Sequence, residues 1–403
     1  MVKVFSWKND TPLSLAKIVQ MQLPKNRLAY IDWLRALAIL GVLLYHSARP
    51  FIPEDPWHIN NAAKSNLLDE FNFFLSRFRM PLLFFISGSV TWLMMKNRTT
   101  GAFVLLRLKR LFLPLIAGML FIIPPQVYFE RLHQGYTGSF LEFYSTLFQS
   151  GSYPQGNMSW HHLWFIAYLF LYDLLLAPFF AWCKTEKASG FKKRLGQLAQ
   201  GRAIYWLMLP SVCIYSAFVL QYPATNALID DPVYFIYWLL FLLAGYFCLL
   251  EPALMESLER NRRFSLTLAF LLLLFINALR WNGFDWFEDK HRAESWTTYL
   301  YLARQPIHTW LWVFALVGYG RKYLNKPLPA LSYVNQFIYP FYILHQTILV
   351  ILAYYVVQTP DTIFLKWVFL ALSTFFICLL LFHLFIRPFY LTRMLFGMKT
   401  SKQ

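Results

Sequence analysis

Long runs of apolar residues recur along the chain and are separated by shorter segments rich in charged and polar residues. A run of about 20 apolar residues has the length of a helix that crosses the hydrocarbon core of a bilayer. The ninth run contains Pro340 and is long enough to tilt strongly or to break near that proline. The pattern predicts an all-α polytopic membrane bundle of about ten transmembrane helices, at residues 33–49, 79–96, 110–128, 162–182, 204–221, 233–250, 264–280, 298–319, 331–357 and 363–387.

Basic residues concentrate in every second connection between these runs: Lys96, Arg98, Arg107, Lys109, Lys184, Lys192, Arg194, Arg260, Arg263, Arg321 and Lys326. The intervening connections carry acidic residues instead: Glu54, Asp55, Asp69, Glu70, Glu130, Glu142, Asp230, Asp231, Asp285 and Glu294. Because basic loops stay on the cytoplasmic side of a membrane, both termini are predicted to be cytoplasmic. The predicted divisions are a cytoplasmic N-terminal segment at 1–30, a transmembrane domain at 31–390 and a cytoplasmic tail at 391–403.

The composition agrees with a membrane protein and changes how the charge is interpreted. The 403 residues are 58% hydrophobic and only 14% charged, whereas soluble domains carry about 25% charged residues. We assign the net charge of +17 to cytoplasmic loops, so the lipid bilayer is an expected partner and nucleic acid is not. The four cysteines are scattered and no HxxxH or HExxH spacing occurs, so no metal ion is predicted.

The first predicted span carries two ionisable residues, Arg35 and His46, although such groups are expensive inside a bilayer. Eleven helical positions turn the chain to within about 20° of three full turns, so both side chains lie on one face, roughly 16 Å apart. An imidazole at that depth is a candidate general base. The alternative is an arginine that extends to the membrane surface and a histidine packed against a neighbouring helix.

Other polar residues near the predicted spans are further candidates for a functional site. Arg107 and Arg110 stand three positions apart before the third span, where they form a phosphate-binding fork or contribute ordinary cytoplasmic charge. Ser87 and Gly88 are small residues for which close packing of helices is expected. Further polar and aromatic candidates are placed in or beside the spans: Asp32, Arg79, His162, Trp164, Asn335 and His345.

The order of these motifs resembles the acyltransferase-3 family of membrane O-acyltransferases. The matching elements are Arg35 and His46 with ten residues between them, the Arg107-x-x-Arg110 pair, and the segment from Phe84 to Gly88. Within the family, the closest likeness is to the osmoregulated periplasmic glucan succinyltransferase branch. That likeness rests on Phe78-Arg79-Met80, on His162-Leu163-Trp164-Phe165, and on the stretch from Val334-Asn335 to His345.

The resemblance implies an enzyme of the bacterial cytoplasmic (inner) membrane. Such an enzyme moves a succinyl or acetyl group from cytoplasmic acyl-CoA to a hydroxyl of an extracytoplasmic carbohydrate, such as a periplasmic glucan or a surface polysaccharide. Acyl-CoA is then a donor substrate, and no permanently bound cofactor is expected.

The same resemblance suggests roles for individual residues. His46, assisted by Arg35, acts as general base or transient acyl carrier, and Arg35, Arg107 and Arg110 bind acyl-CoA. The residues expected to bind the acceptor or to support the site are Asp32, Arg79, His162, Trp164, Asn335 and His345. A secondary transporter remains an alternative, because it also places polar groups at mid-membrane. A non-catalytic membrane sensor is the other alternative, and it would bind no acyl-CoA and would not need His46.

Overall fold

The computed structural model describes residues 28–53, 57–282 and 296–399, and within these ranges the regular structure is helical. The first nine α-helices are α1 (Ala29–Ala48), α2 (Asn66–Ser76), α3 (Arg79–Met95), α4 (Thr100–Arg107), α5 (Leu113–Ala117), α6 (Ile123–His133), α7 (Phe140–Ser145), α8 (Trp164–Leu175) and α9 (Ala177–Cys183). The others are α10 (Ser189–Gln197), α11 (Leu209–Phe218), α12 (Pro232–Leu250), α13 (Pro252–Trp281), α14 (Trp296–Tyr323), α15 (Pro329–Val356), α16 (Ile363–Leu381) and α17 (Tyr390–Leu395).

The predicted all-α membrane class is confirmed. In the described part of the chain, seven helical stretches are long and apolar enough to cross a membrane, or eight if α8 and α9, bent by 55°, form one span. Each of the ten predicted runs lies on helical structure. The run at 204–221 coincides with a shorter apolar helix, Ala203–Phe218, and the run at 298–319 lies on α14, which is not among the seven. The cytoplasmic placement of the termini stays a prediction. Residues 1–27, 54–56, 283–295 and 400–403 lie outside the described residues, and they include the acidic residues Glu54, Asp55, Asp285 and Glu294.

Local sequence features set where several helices begin. The Ser65 hydroxyl accepts a hydrogen bond from the Leu68 amide at the start of α2. Proline occupies the first position of α12, α13 and α15, where a missing amide hydrogen costs nothing.

The helix pair α3–α12 packs with backbone almost in contact. A Cβ atom added at Gly88 would lie 1.8 Å from the Leu242 carbonyl oxygen, and one added at Gly245 would lie 1.7 Å from the Phe85 carbonyl oxygen. Across the same contact the Ser89 hydroxyl donates to the Gly245 carbonyl at 3.0 Å. The packing role predicted for Gly88 is confirmed, whereas Ser87 points elsewhere and lines a cavity.

Two segments with π-helical geometry, Leu108–Phe112 and Gly118–Ile122, interrupt the long helical stretch between residues 100 and 133. Such segments widen a helix by one residue per turn and are frequent at functional sites. The first begins directly after Arg107 and contains Arg110, so the two arginines do not have the simple α-helical spacing expected from the sequence.

Helix α15 passes through Pro340 without breaking, so the predicted break is not observed. Proline cannot donate to the carbonyl of Gln336 one turn earlier. Both Gln336 and Pro340 line a cavity. Unpaired backbone at membrane depth is tolerated where it lines such a space.

Candidate functional site

Two cavities lie at the two ends of α1. The first, of about 710 Å³, contains the predicted basic residues and is called the arginine cavity; its lining includes Asp32, Arg35, Ser87, Arg107, Arg110, Asn335, Tyr339, Tyr342, Arg393 and Lys399. The second, of about 1230 Å³, is called the histidine cavity; its lining includes His46, Trp57, His58, Arg79, Tyr153, Trp160, His161, His162, Trp164, Tyr342 and Gln346. Arg35 lines the first cavity and His46 the second. Both side chains face α15, since Arg35 contacts Asn335 and His46 contacts His345.

Arg35 is held in place by two neighbours in the arginine cavity. Its guanidinium donates to the Asn335 side-chain oxygen of α15 and to the Asp32 carboxylate at 3.1 Å, one turn earlier in α1. The structure therefore brings together three residues that the sequence predicted separately. The carboxylate offsets much of the arginine charge, so Arg35 is better suited to shape the cavity than to bind a dianion alone.

Arg107 lies at the same cavity but is already paired. Its guanidinium forms a buried ion pair with Asp173 of α8, and the Thr91 hydroxyl donates to the same carboxylate at 3.0 Å. The side chains of Arg107 and Asp173 are 6% and 0% exposed, so solvent hardly competes with this pair. A buried charge that loses its partner is costly, which gives Arg107 a structural role in addition to any binding role.

Arg110 differs from Arg107. Within the described residues its guanidinium has no hydrogen bond or ion pair, while its carbonyl accepts from the Tyr339 hydroxyl at 3.0 Å. Arg393 and Lys399 line the same cavity from the segment that the sequence assigned to a cytoplasmic tail. Sequence reasoning treated these two as orientation signals only, because no local motif connects them to residues nearly 300 positions earlier.

In the histidine cavity, His46 belongs to a short relay of buried groups. Its Nδ1 lies 3.0 Å from Nε2 of His345, and Nδ1 of His345 lies 2.7 Å from the Tyr342 carbonyl oxygen. Because a carbonyl oxygen only accepts, neutral His345 donates from Nδ1 and accepts at Nε2. His46 therefore donates from Nδ1, and its remaining lone pair is on Nε2. A base oriented in this way can take a proton from a bound hydroxyl.

His162 packs against His345, the second imidazole of this relay. Its Nε2 donates to the Ile343 carbonyl at 3.0 Å, and its ring meets the His345 ring edge-on at a centroid distance of 5.1 Å. Its backbone carbonyl accepts from the Tyr342 hydroxyl. Tyr342 lines both cavities, so this residue forms part of the boundary between them.

Arg79 and Trp164 complete the predicted set. The Arg79 guanidinium lies 3.5 Å above the Tyr45 ring, while Trp164 packs against Trp238 with ring centroids 5.8 Å apart. Both line the histidine cavity. Arg79 thus supplies a cation on the imidazole side, and Trp164 supplies an apolar wall.

Sequence reasoning missed a second polar group at this cavity, formed by His58, Glu130 and His161. His58 Nδ1 hydrogen-bonds to the Glu130 carboxylate, and the Tyr153 hydroxyl donates to the other carboxylate oxygen at 3.0 Å. Burial, together with the nearby carboxylate, raises the pKa of Tyr153, which keeps it a neutral donor. The only signal in the sequence was the His161-His162 pair, since the other members come from distant segments.

The chain is similar to a known protein family and to several curated proteins. The model of the acyltransferase domain of the acyltransferase-3 family matches residues 28–383. "Glucans biosynthesis protein C" of Salmonella schwarzengrund (strain CVM19633) is 26% identical over 211 residues, which are 50% of this chain and 52% of that protein. Proteins with the same name from Salmonella typhi and Salmonella paratyphi A (strain ATCC 9150 / SARB42) are 26% and 25% identical over the same shares. The chain spans about half the length of the curated relatives it matches. No solved structure matches it.

Proposed function

The chain belongs to the acyltransferase-3 family, and from that premise we propose that it transfers an acyl group from acyl-CoA to a carbohydrate hydroxyl across the bacterial cytoplasmic membrane. The observation that supports this most strongly is the pair of cavities of different chemistry at the two ends of α1, which share Tyr342. One offers cations for a phosphorylated donor, and the other offers an oriented imidazole for an acceptor.

The donor occupies the arginine cavity in this proposal. Coenzyme A carries several phosphate groups, and guanidinium and ammonium groups bind phosphates by charge-assisted hydrogen bonds. Arg110, Arg393 and Lys399 have charge available for this role, whereas Arg107 and Arg35 face carboxylates of their own. With both termini in the cytoplasm, as predicted, this cavity opens to the cytoplasmic supply of acyl-CoA.

The chemistry takes place at His46. Nε2 of His46 removes the proton from the acceptor hydroxyl while the acceptor oxygen attacks the thioester carbonyl. The carbon–oxygen bond forms, the carbon–sulfur bond breaks, and the departing thiolate receives the proton from His46. In the covalent alternative, Nε2 attacks the thioester carbonyl and expels the coenzyme A thiolate. The acceptor oxygen then attacks the acyl-imidazole, the carbon–nitrogen bond breaks, and the acceptor proton passes to the thiolate. His345 keeps the required tautomer of His46 in either route.

The acceptor occupies the histidine cavity, on the extracytoplasmic side. Aromatic side chains from the connecting segments, Trp57, Tyr153 and Trp160, line this space together with Arg79 and Gln346. Flat aromatic faces beside hydrogen-bonding groups suit a sugar. A glucan is the first acceptor to test because the relatives are named for glucan biosynthesis, and succinyl and acetyl are the acyl groups to test.

The direct experiment uses purified full-length protein with succinyl-CoA or acetyl-CoA and a glucan oligosaccharide. Mass spectrometry should show the oligosaccharide heavier by one acyl group with wild-type protein and with His133→Ala, an exposed histidine outside the relay. His46→Ala should lower the rate about 100- to 10,000-fold. Transfer by His46→Ala at the rate of His133→Ala would reject the proposed site.

A further inference from the structure

The His58, Glu130 and His161 side chains meet although they come from three separate segments, and the two histidines line the histidine cavity. His58 lies in the connection between α1 and α2, Glu130 lies in α6, and His161 lies directly before α8. One nitrogen or oxygen atom from each lies within 4.8 Å of the other two. The relay around His46 uses none of these three residues.

We propose that these three side chains form a binding site for a divalent transition-metal ion of the Zn²⁺ class. Two imidazoles and one carboxylate are a ligand set that such ions favour. Ligands bound at about 2.0–2.1 Å in tetrahedral geometry stand about 3.3 Å apart, so small rotations of these side chains close the site. Three protein ligands leave one position open, as in catalytic zinc sites.

His161 provides an independent reason to expect a ligand. Its Nε2 is shielded from solvent and has no hydrogen-bond partner among the residues that the structure describes. Its backbone has φ of +37°, a conformation uncommon for a residue with a side chain. The ring meets His58 edge-on at a centroid distance of 4.7 Å. A buried imidazole nitrogen without a partner is costly, and a metal ion would satisfy it.

Neighbouring groups supply the outer contacts that metal ligands require. The Tyr153 hydroxyl donates a hydrogen bond to Oε1 of Glu130, while Oε2 faces His58. Nε2 of His58 has the side-chain amides of Gln126 and Gln346 at 3.0 and 3.2 Å. These amides can present an oxygen to the ring N–H after a flip. A metal ion bound at Nδ1 would take the place of the hydrogen between His58 and Glu130, and neutral His58 would then carry its ring hydrogen on Nε2, facing these amides.

Arg131 lies beside the Tyr153 ring, and its hydrogen bonds go to groups other than the three proposed ligands. Its guanidinium donates to the Pro154 and Gly156 carbonyls at 2.7 and 2.9 Å and to the Asn157 side chain at 3.2 Å. These contacts occupy its donors on the connecting segment. The single negative charge of Glu130 therefore remains available to a cation.

The open coordination position suggests what the ion does. Resting on the proposed function, we assign this position to an oxygen of the carbohydrate acceptor, because His58 and His161 line the same cavity as His46. Gln346 connects the proposed metal site to the relay around His46, since its side chain contacts His58 and it directly follows His345 in the chain. The ion would hold the acceptor beside the base and leave donor binding unchanged.

The site can be tested without any acyl donor. Full-length protein in detergent is stripped with a chelator and titrated with Zn²⁺, and with Co²⁺ as a spectroscopic probe. We expect one ion per chain and a tetrahedral Co²⁺ absorption spectrum. Tyr153→Phe should weaken binding about 10-fold, and His161→Ala should weaken it further. His133→Ala, which alters an exposed histidine on α6, should bind as the wild type does.

Two results would overturn the metal site: no ion bound by monodisperse protein, or equal affinities of the wild type, Tyr153→Phe, His161→Ala and His133→Ala. Tyr153→Phe keeps the test decisive if His161→Ala fails to fold. Addition of a glucan oligosaccharide should shift the Co²⁺ spectrum, and an unchanged spectrum would refute the acceptor role. Because metal binding is measured without acyl-CoA, its failure is distinguishable from failure of the acyl-transfer proposal.

Discussion

At the scale of single residues, the chemistry depends on how hydrogen bonds fix one imidazole. The Tyr342 carbonyl determines the tautomer of His345, and His345 determines that of His46. The Tyr342 carbonyl thus determines, through His345, that Nε2 of His46 carries the reactive lone pair. A residue that acts in this way positions the base without touching the substrate.

Replacement of His345 tests this relay. His345→Ala should lower the rate constant for transfer about 100-fold, because His46 loses its orientation, while the affinity for acyl-CoA stays unchanged. His345→Gln should recover part of the rate, since its amide oxygen can accept from His46. Single-turnover transfer and donor-binding measurements check both. Equal rates for His345→Gln and His345→Ala would contradict the tautomer argument.

The two arginines of the predicted fork should behave differently. Arg107→Ala leaves Asp173 buried without its partner, so it should destabilise the protein by about 3–5 kcal/mol. Arg110→Ala should leave stability unchanged and weaken acyl-CoA binding. Thermal unfolding in detergent and donor titration separate the two effects. Weakened donor binding by Arg107→Ala alone, at wild-type stability, would contradict this division of roles.

At the scale of helices, the sequence predicted the features that depend on one helix alone and missed those that depend on how distant helices pack. The common face of Arg35 and His46 depends only on helical periodicity, and the structure places them as expected. The Arg107–Asp173 pair joins residues 66 positions apart, so it depends on how helices pack. The π-helical geometry after Arg107 has no comparable periodic signal. For the same reason the cluster of His58, Glu130 and His161 was not predicted.

The contact between α3 and α12 gives a prediction at this scale. Gly88→Ala forces a methyl group against the Leu242 carbonyl and should destabilise the protein by at least about 1–3 kcal/mol. Gly41→Ala in α1 is the matched control, because its added carbon would lie 4.0 Å from its nearest neighbour, Leu75. Unfolding temperatures in detergent measure both. A Gly88→Ala protein as stable as Gly41→Ala would show that this contact is not tight.

At the scale of the whole molecule, the two cavities are separate spaces that meet at Tyr342. The sequence pattern predicted the membrane class, and it predicted a basic residue near one end of α1 and an imidazole near the other. It did not predict a boundary between the two cavities. The Tyr342 ring forms part of that boundary, and its hydroxyl donates to the His162 backbone carbonyl from another helix. In the proposed reaction the thioester passes Tyr342 to reach His46, and the ring packed beside it would limit the entry of water from the acceptor side.

Tyr342→Ala should open this boundary. We expect faster release of free coenzyme A without acceptor, because water then reaches the thioester, and less transfer per acyl-CoA consumed. Tyr342→Phe keeps the ring and should show little hydrolysis. Thiol release compared with acylated product measures the difference. Equal hydrolysis by Tyr342→Ala and wild type would show that Tyr342 does not separate the cavities.

The central claim is that donor and acceptor approach from opposite sides of the membrane, and a sided transfer assay tests it most directly. Full-length protein is reconstituted into sealed vesicles in a uniform orientation, with acyl-CoA and glucan oligosaccharide placed on the same or on opposite sides. We predict acylated oligosaccharide only when acyl-CoA faces the arginine cavity and the acceptor faces the histidine cavity. Transfer at equal rates with both substrates on one side of sealed vesicles would contradict this account.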